Sequence, residues 1–208
     1  MGGIILMSVD LSEEQVYQIF PLLKEVKNQT LQSGIIEIVI EIANEMAWES
    51  FHDIPKNLAY ERNRSLLVHI NGVTEIALKM AEMYKDTQGL EYDRDLLIAS
   101  CLLHDISKPV ESEPNPNVEK TIGSPVLPVR KSELGKYMPH ASYAAHKVLS
   151  KKLGVKLAHI VTTHTHASNE RGKGWEASLL FYADFVDTDA GTVMAGEGSP
   201  MYSQRWKL

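Results

Sequence analysis

Leu102-Leu103-His104-Asp105-Ile106-Ser107-Lys108 is an apolar helical run that ends abruptly in an imidazole, a carboxylate and, three residues on, a cation. Polar and charged groups gathered at the end of a buried helix are costly unless something binds them. The spacing predicts a helix from Asp93 to Ile106, in which Leu97, Cys101 and His104 share one face, so the His104 ring points inward. Reading outward from this stretch, helical periodicity continues in both directions, and no strict alternation survives over strand-length windows. The fold class expected is all-α, a bundle of about six to eight helices.

Upstream, Arg64 to Lys85 carries Leu66, Ile70, Val73, Ala77, Met80 and Tyr84 at spacings of three and four, a core-facing stripe with His69 on its edge. Before it, Ser12 and Gln15 read as a capping box opening a helix to about Val26, and Gly34 to Phe51 reads as a strongly apolar helix. Downstream, Pro139 begins a helix to about Leu153, with His140 at its start and Gly154 as a natural C-terminal cap. Val155 to about Thr165 places Leu157, Ile160, Val161 and His164 on one face, and Trp175 to about Val193 aligns Leu180, Asp184 and Asp187. One segment breaks the pattern: residues 109–138 contain Pro114, Pro116, Pro125 and Pro128 with Gly123 and Gly135, and show no sustained period. A long loop lying between two candidate ligands reads either as a lid or substrate-binding excursion or as a surface insertion. Its Arg130, Lys131 and Lys136 form either an anion-binding patch for substrate or an ordinary solvated run.

With 208 residues and 44% hydrophobic content, the chain has enough material for one sizeable core, and a single domain over 1–208 is expected: a helical extension over 1–60, a core over 64–190 and the insertion over 109–138. The net charge of −6 is spread along the sequence, which argues against a duplex nucleic-acid surface but not against small anionic substrates. Cys101 is the only cysteine, so a disulfide framework and a thiolate zinc site are excluded, and a reducing cytoplasmic setting fits. Met1 to Met7 is too short for a signal segment, and no stretch approaches the roughly 20 apolar residues of a membrane span. A soluble, cytoplasmic protein is expected; the sequence leaves its oligomeric state open.

His69, His104-Asp105, His140, His164 and Asp184 thus lie on or beside buried stripes. Several imidazoles with carboxylates suit divalent transition ions such as manganese, iron, zinc, nickel or cobalt, with magnesium also admitted. Four histidines and two aspartates exceed the needs of one tetrahedral ion with an open position, so two ions are expected, and a carboxylate such as that of Asp105 can bridge a pair of ions. Water between two cations is acidified toward neutrality and becomes a nucleophile. Asp187, one turn after Asp184, reads as a partner for a ligating histidine. His166 competes with His164 for its role, His146 and His159 read as structural or exposed, and His52-Asp53 lies outside the pattern.

The order His69, His104-Asp105, Asp184, with His104 to Lys108 matching HD-x-x-K, resembles the HD-domain superfamily of metal-dependent phosphohydrolases over roughly residues 64 to 190. His140 and His164 fit the additional histidines of its dinuclear members. The resemblance implies an all-helical fold and hydrolysis of a phosphomonoester or phosphodiester of a nucleotide or other small molecule by metal-bound hydroxide. It places His69, His104, Asp105 and Asp184 around one ion, and Asp105, His140 and His164 around the second. Asp105 and Lys108 become the catalytic pair, with Lys108 neutralising substrate phosphate. Ser107 departs from the glycine often found there. Two alternatives remain: an HD-type diiron oxygenase and a non-catalytic nucleotide-sensing module.

Overall fold

The structure, a computed structural model, describes residues 11–57, 61–115, 129–165, 171–194 and 196. Helix α1 (Glu13–Ile19) opens on the expected Ser12–Gln15 capping box. It does not run to Val26, because Pro21 has no amide hydrogen and restricts Phe20; a 3₁₀ turn over Pro21–Glu25 follows instead. Helix α2 (Gln29–Glu45) starts earlier than its apolar pattern suggested, because the Asn28 side chain caps it by accepting from the Leu31 amide. It also ends earlier, and the chain beyond it folds Met46, Trp48, Phe51 and Ile54 into the core.

Helix α3 (Leu66–Gln88) runs from a Ser65 cap to Gly89, whose φ of 68° supplies the left-handed residue that ends the helix. Helix α4 (Arg94–Leu103), capped by Asp93, has every residue from Leu96 to Leu103 buried, which marks it as the central helix. It stops at Leu103, short of the expected Ile106. The tight turn that follows, with Ile106 N–H on the Leu103 carbonyl at 3.4 Å and Lys108 N–H on the Asp105 carbonyl at 3.0 Å, turns His104 and Asp105 toward one point. Short helix α5 (Lys108–Glu111) comes next.

The 109–138 segment is more regular at its ends than its composition suggested. Strands β3 (Ser112–Pro114) and β4 (Val129–Lys131) form an antiparallel ribbon in register Ser112↔Lys131, followed by α6 (Glu133–Tyr137). Residues 116–128 lie outside the described part. A second ribbon, β1 (Pro55–Asn57) with β2 (Glu61–Ser65), precedes α3. Strands of three to five residues are too short for alternation to announce them. Helices α7 (His140–Ser150), α8 (Val155–Thr163) and α9 (Trp175–Met194) complete the bundle. Lys152, at φ 58°, takes the left-handed position after α7, whereas Gly154 precedes α8 and is not the cap of α7. α9 packs on α3 and α4, α8 on α7 and α4, and one buried apolar cluster extends from Val16 to Ala183. Among the described residues the protein is therefore all-α apart from two small ribbons, and no helix there is long and apolar enough to cross a membrane.

Candidate metal centre

The four histidines singled out by sequence gather around Asp105, and Asp184 joins the cluster through His69. His69 comes from the buried face of α3, His104 and Asp105 from the turn after α4, His140 from the first residue of α7, His164 from the end of α8 and Asp184 from α9. The two oxygens of Asp105 face different histidines. Oδ2 lies 3.2 Å from His69 Nε2 and 3.5 Å from His104 Nε2, while Oδ1 lies 3.1 Å from His140 Nε2 and 3.6 Å from His164 Nε2. Asp184 Oδ1 approaches His69 Nε2 at 3.2 Å. Two groups of three, His69/His104/Asp105 and Asp105/His140/His164, each bring one ligand atom per residue within 4.8 Å of the others.

The outward nitrogens decide what the inward ones can do. His104 Nδ1 lies 2.6 Å from the Cys101 carbonyl and His164 Nδ1 2.6 Å from the Val161 carbonyl. A carbonyl oxygen only accepts, so each Nδ1 carries a hydrogen, which leaves Nε2 as the nitrogen able to offer a lone pair inward. Both rings sit at helix ends, where the last carbonyls lack helical partners. His69 Nδ1 meets Asp187 Oδ2 at 2.5 Å and His140 Nδ1 meets Glu111 Oε2 at 3.2 Å, so carboxylates play the same part for the other two. The interior therefore gathers nitrogen lone pairs and carboxylate oxygens: His69 and His104 bring their Nε2 atoms to 3.2 Å, and buried Asp105 Oδ1 accepts no hydrogen bond. An arrangement of that kind demands positive charge between its members, and the donor set fits divalent transition ions.

The electrostatics of these groups follow from the same packing. Burial works against a charged His69 ring, yet Asp105, Asp184 and Asp187 outweigh it and push its pKa up to about 9. Burial holds His104 below its ordinary value. Burial would raise Asp105 and Asp184, but Lys108 and His104 beside the first, and His69 beside the second, hold both well below the usual carboxylate range. Lys108 Nζ lies 2.5 Å from Asp105 Oδ2.

Ser107, the departure from glycine, sits at φ −95°, where a side chain brings no strain, and its hydroxyl donates to the His140 carbonyl at 2.6 Å. Asp187 supports His69 as its spacing suggested, and is itself held by the Arg64 guanidinium. Neither Arg64 nor Glu111 was singled out by sequence. Gly72, one turn after His69, leaves room for the Asp187 carboxylate, since a Cβ there would lie 2.5 Å from Asp187 Oδ1. The three loop cations are each paired: Arg130 with Glu113 at 2.7 Å, Lys131 with Glu111 at 2.5 Å and Lys136 with Glu133 at 2.7 Å. His52 and Asp53 are exposed, as is His146; His159 Nε2 accepts from the Lys173 amide at 3.0 Å. His166 lies outside the described residues.

A sequence model of the HD domain matches residues 66–189, and the chain belongs to that family. Its activity class is accordingly that of a metal-dependent phosphohydrolase. A curated relative from Methanocaldococcus jannaschii, named dihydroneopterin 2',3'-cyclic phosphate phosphodiesterase, is 26% identical over 200 residues, covering 93% of this chain and 71% of the relative. No solved structure matches the chain.

Proposed function

We propose that the chain is a two-ion phosphodiesterase of the cytoplasm acting on a small, cyclic phosphodiester. Asp105 would bridge, with His69, His104 and Asp184 completing one ion's protein ligands and His140 and His164 the other's. The observation that carries the reading is the division of Asp105, one oxygen toward each histidine pair, with Oδ1 buried and without a hydrogen bond. Bound ions of this kind supply Lewis acidity and an acidified water. The chain's own residues orient and neutralise. His104 and His164 keep their hydrogens on Nδ1, and the Asp187 and Glu111 carboxylates would hold those of His69 and His140 there once an ion takes the inward side. Lys108 would draw a phosphoryl oxygen toward its ammonium at the partly exposed edge of the cluster. Water adds at phosphorus as one ester P–O bond breaks, and the departing oxygen takes up a proton, leaving a phosphomonoester beside a free hydroxyl. The cyclic diester is drawn from the relative's named substrate.

Metal analysis of protein purified without added metal, together with hydrolysis of 2',3'-cyclic nucleotides, bis-(p-nitrophenyl) phosphate and p-nitrophenyl phosphate, tests the proposal. Two equivalents of metal and preferential cleavage of the diesters are expected. Two irons with oxygen uptake and no ester cleavage would establish the oxygenase alternative. Tight nucleotide binding without turnover would establish the sensing module.

A further inference from the structure

Glu111 is the last residue of α5, inside the segment whose composition reads as irregular. Its two carboxylate oxygens face different structures. Oε2 meets His140 Nδ1 at 3.2 Å, on the ring edge opposite the Nε2 that faces Asp105, while Oε1 meets Lys131 Nζ at 2.5 Å. Lys131 is the last residue of β4, paired in register with Ser112, so its contact with Glu111 lies at the end of the β3–β4 ribbon where the ribbon meets α5. The surrounding backbone holds this arrangement. Ser132 N–H donates to the Glu111 carbonyl at 3.1 Å, and its hydroxyl donates to the Val110 carbonyl at 2.5 Å. Gly135 lies so close that a Cβ there would come within 1.9 Å of the Glu111 carbonyl oxygen.

We propose that Glu111 is a positioning residue for the second ion, and that the β3–β4 ribbon, acting through Lys131, is coupled to that ion's occupancy. The inference rests on the two-ion reading above. Glu111 fixes the hydrogen of His140 on Nδ1, which leaves Nε2 free beside Asp105 Oδ1 and makes the ring a stronger donor to a cation. Lys131 limits the rotamers of Glu111, so it serves as a support, and opening the ribbon releases the carboxylate and weakens the site. Binding of the second ion and closure of the ribbon then favour one another by the same factor.

The test is a manganese(II) titration of the full chain, read by the electron paramagnetic resonance of free manganese. Wild type is expected to take up two equivalents. Glu111→Ala should weaken the second by about 10- to 100-fold and leave the first unchanged. Glu111→Gln, which still accepts from Nδ1 but carries no charge, should fall between the two. Lys131→Met should weaken the second equivalent about threefold, and Lys131→Arg should restore it. A second equivalent unchanged in Glu111→Ala, or both equivalents weakened alike, would overturn the role of Glu111. An unchanged second equivalent in Lys131→Met would overturn the coupling. A single equivalent in wild type would instead remove the two-ion reading, and this inference with it.

Discussion

His69 and His140 face opposite oxygens of Asp105, and each has a carboxylate behind its ring, yet the two halves are built from different material. His69 is fully buried on α3, 23 residues long, and its partner Asp187, 9% exposed at the side chain, comes from α9, 20 residues long. Glycine at position 72 leaves the room that the Asp187 carboxylate occupies beside His69. His140 is 19% exposed, and its partner Glu111 belongs to a four-residue helix whose support, Lys131, is 51% exposed. Ionic contacts in the interior are weakly screened, whereas those at the edge are shared with solvent and salt. One half is thus preformed by the core, and the other depends on a peripheral ribbon.

Removing the shared carboxylate should abolish the distinction. Asp105→Asn is expected to lower metal content from about two ions toward none and to reduce hydrolysis to background, since a neutral amide does not bridge two cations. His52→Ala, outside the cluster, should change neither quantity. Full metal content and activity in Asp105→Asn would show that the centre is not organised around this residue. Lys108→Ala separates chemistry from assembly: kcat/KM should fall about 10- to 1000-fold with metal content close to normal, and loss of metal instead would make the lysine a support for Asp105.

The two supporting carboxylates sharpen the comparison. Asp187→Asn should loosen the ion at His69 by about 10- to 100-fold. In wild type, raising the salt concentration should weaken the ion at His140 more than the ion at His69, because only the Lys131–Glu111 pair is widely exposed. Equal salt dependence of the two affinities would erase the proposed difference between the halves.

The smallest effect concerns the helix that carries His140. α7 is latched to α2 by Lys147, which meets Glu41 at 3.1 Å and Glu45 at 2.5 Å. Burial disfavours the charged amine, but Glu45 and Glu41 outweigh it and push Lys147 from 10.5 up to about 12. The folded state therefore holds this proton more tightly than the unfolded state. Its stabilisation is complete below pH 10.5 and is lost as pH rises through about 12. The urea midpoint of wild type should fall more steeply across that window than that of Lys147→Met; equal slopes would show that the latch contributes nothing.

Much of the candidate centre was legible because its chemistry leaves few choices. Imidazoles and carboxylates on apolar faces, with an adjacent His104-Asp105 pair, identified the convergent residues, and one helical turn from Asp184 found Asp187. Glu111 was missed because it stands in an aperiodic stretch, where nothing local marks a carboxylate as inward-facing. The ends of α1 and α7 were misjudged where Pro21 and Lys152, rather than the apolar pattern, set the backbone.

The sequence by itself determined the helical class, the family and the inventory of donors, because periodicity and residue chemistry are local properties. It could not determine which oxygen of Asp105 faces which ring, or which carboxylate stands behind each histidine. His69 and Asp187 are 118 positions apart, and His140 and Glu111 are 29 apart. Contacts over such separations follow from how α3 packs on α9 and how the β3–β4 ribbon closes over α5. Tertiary packing decided them, since only there do the shapes of distant faces meet.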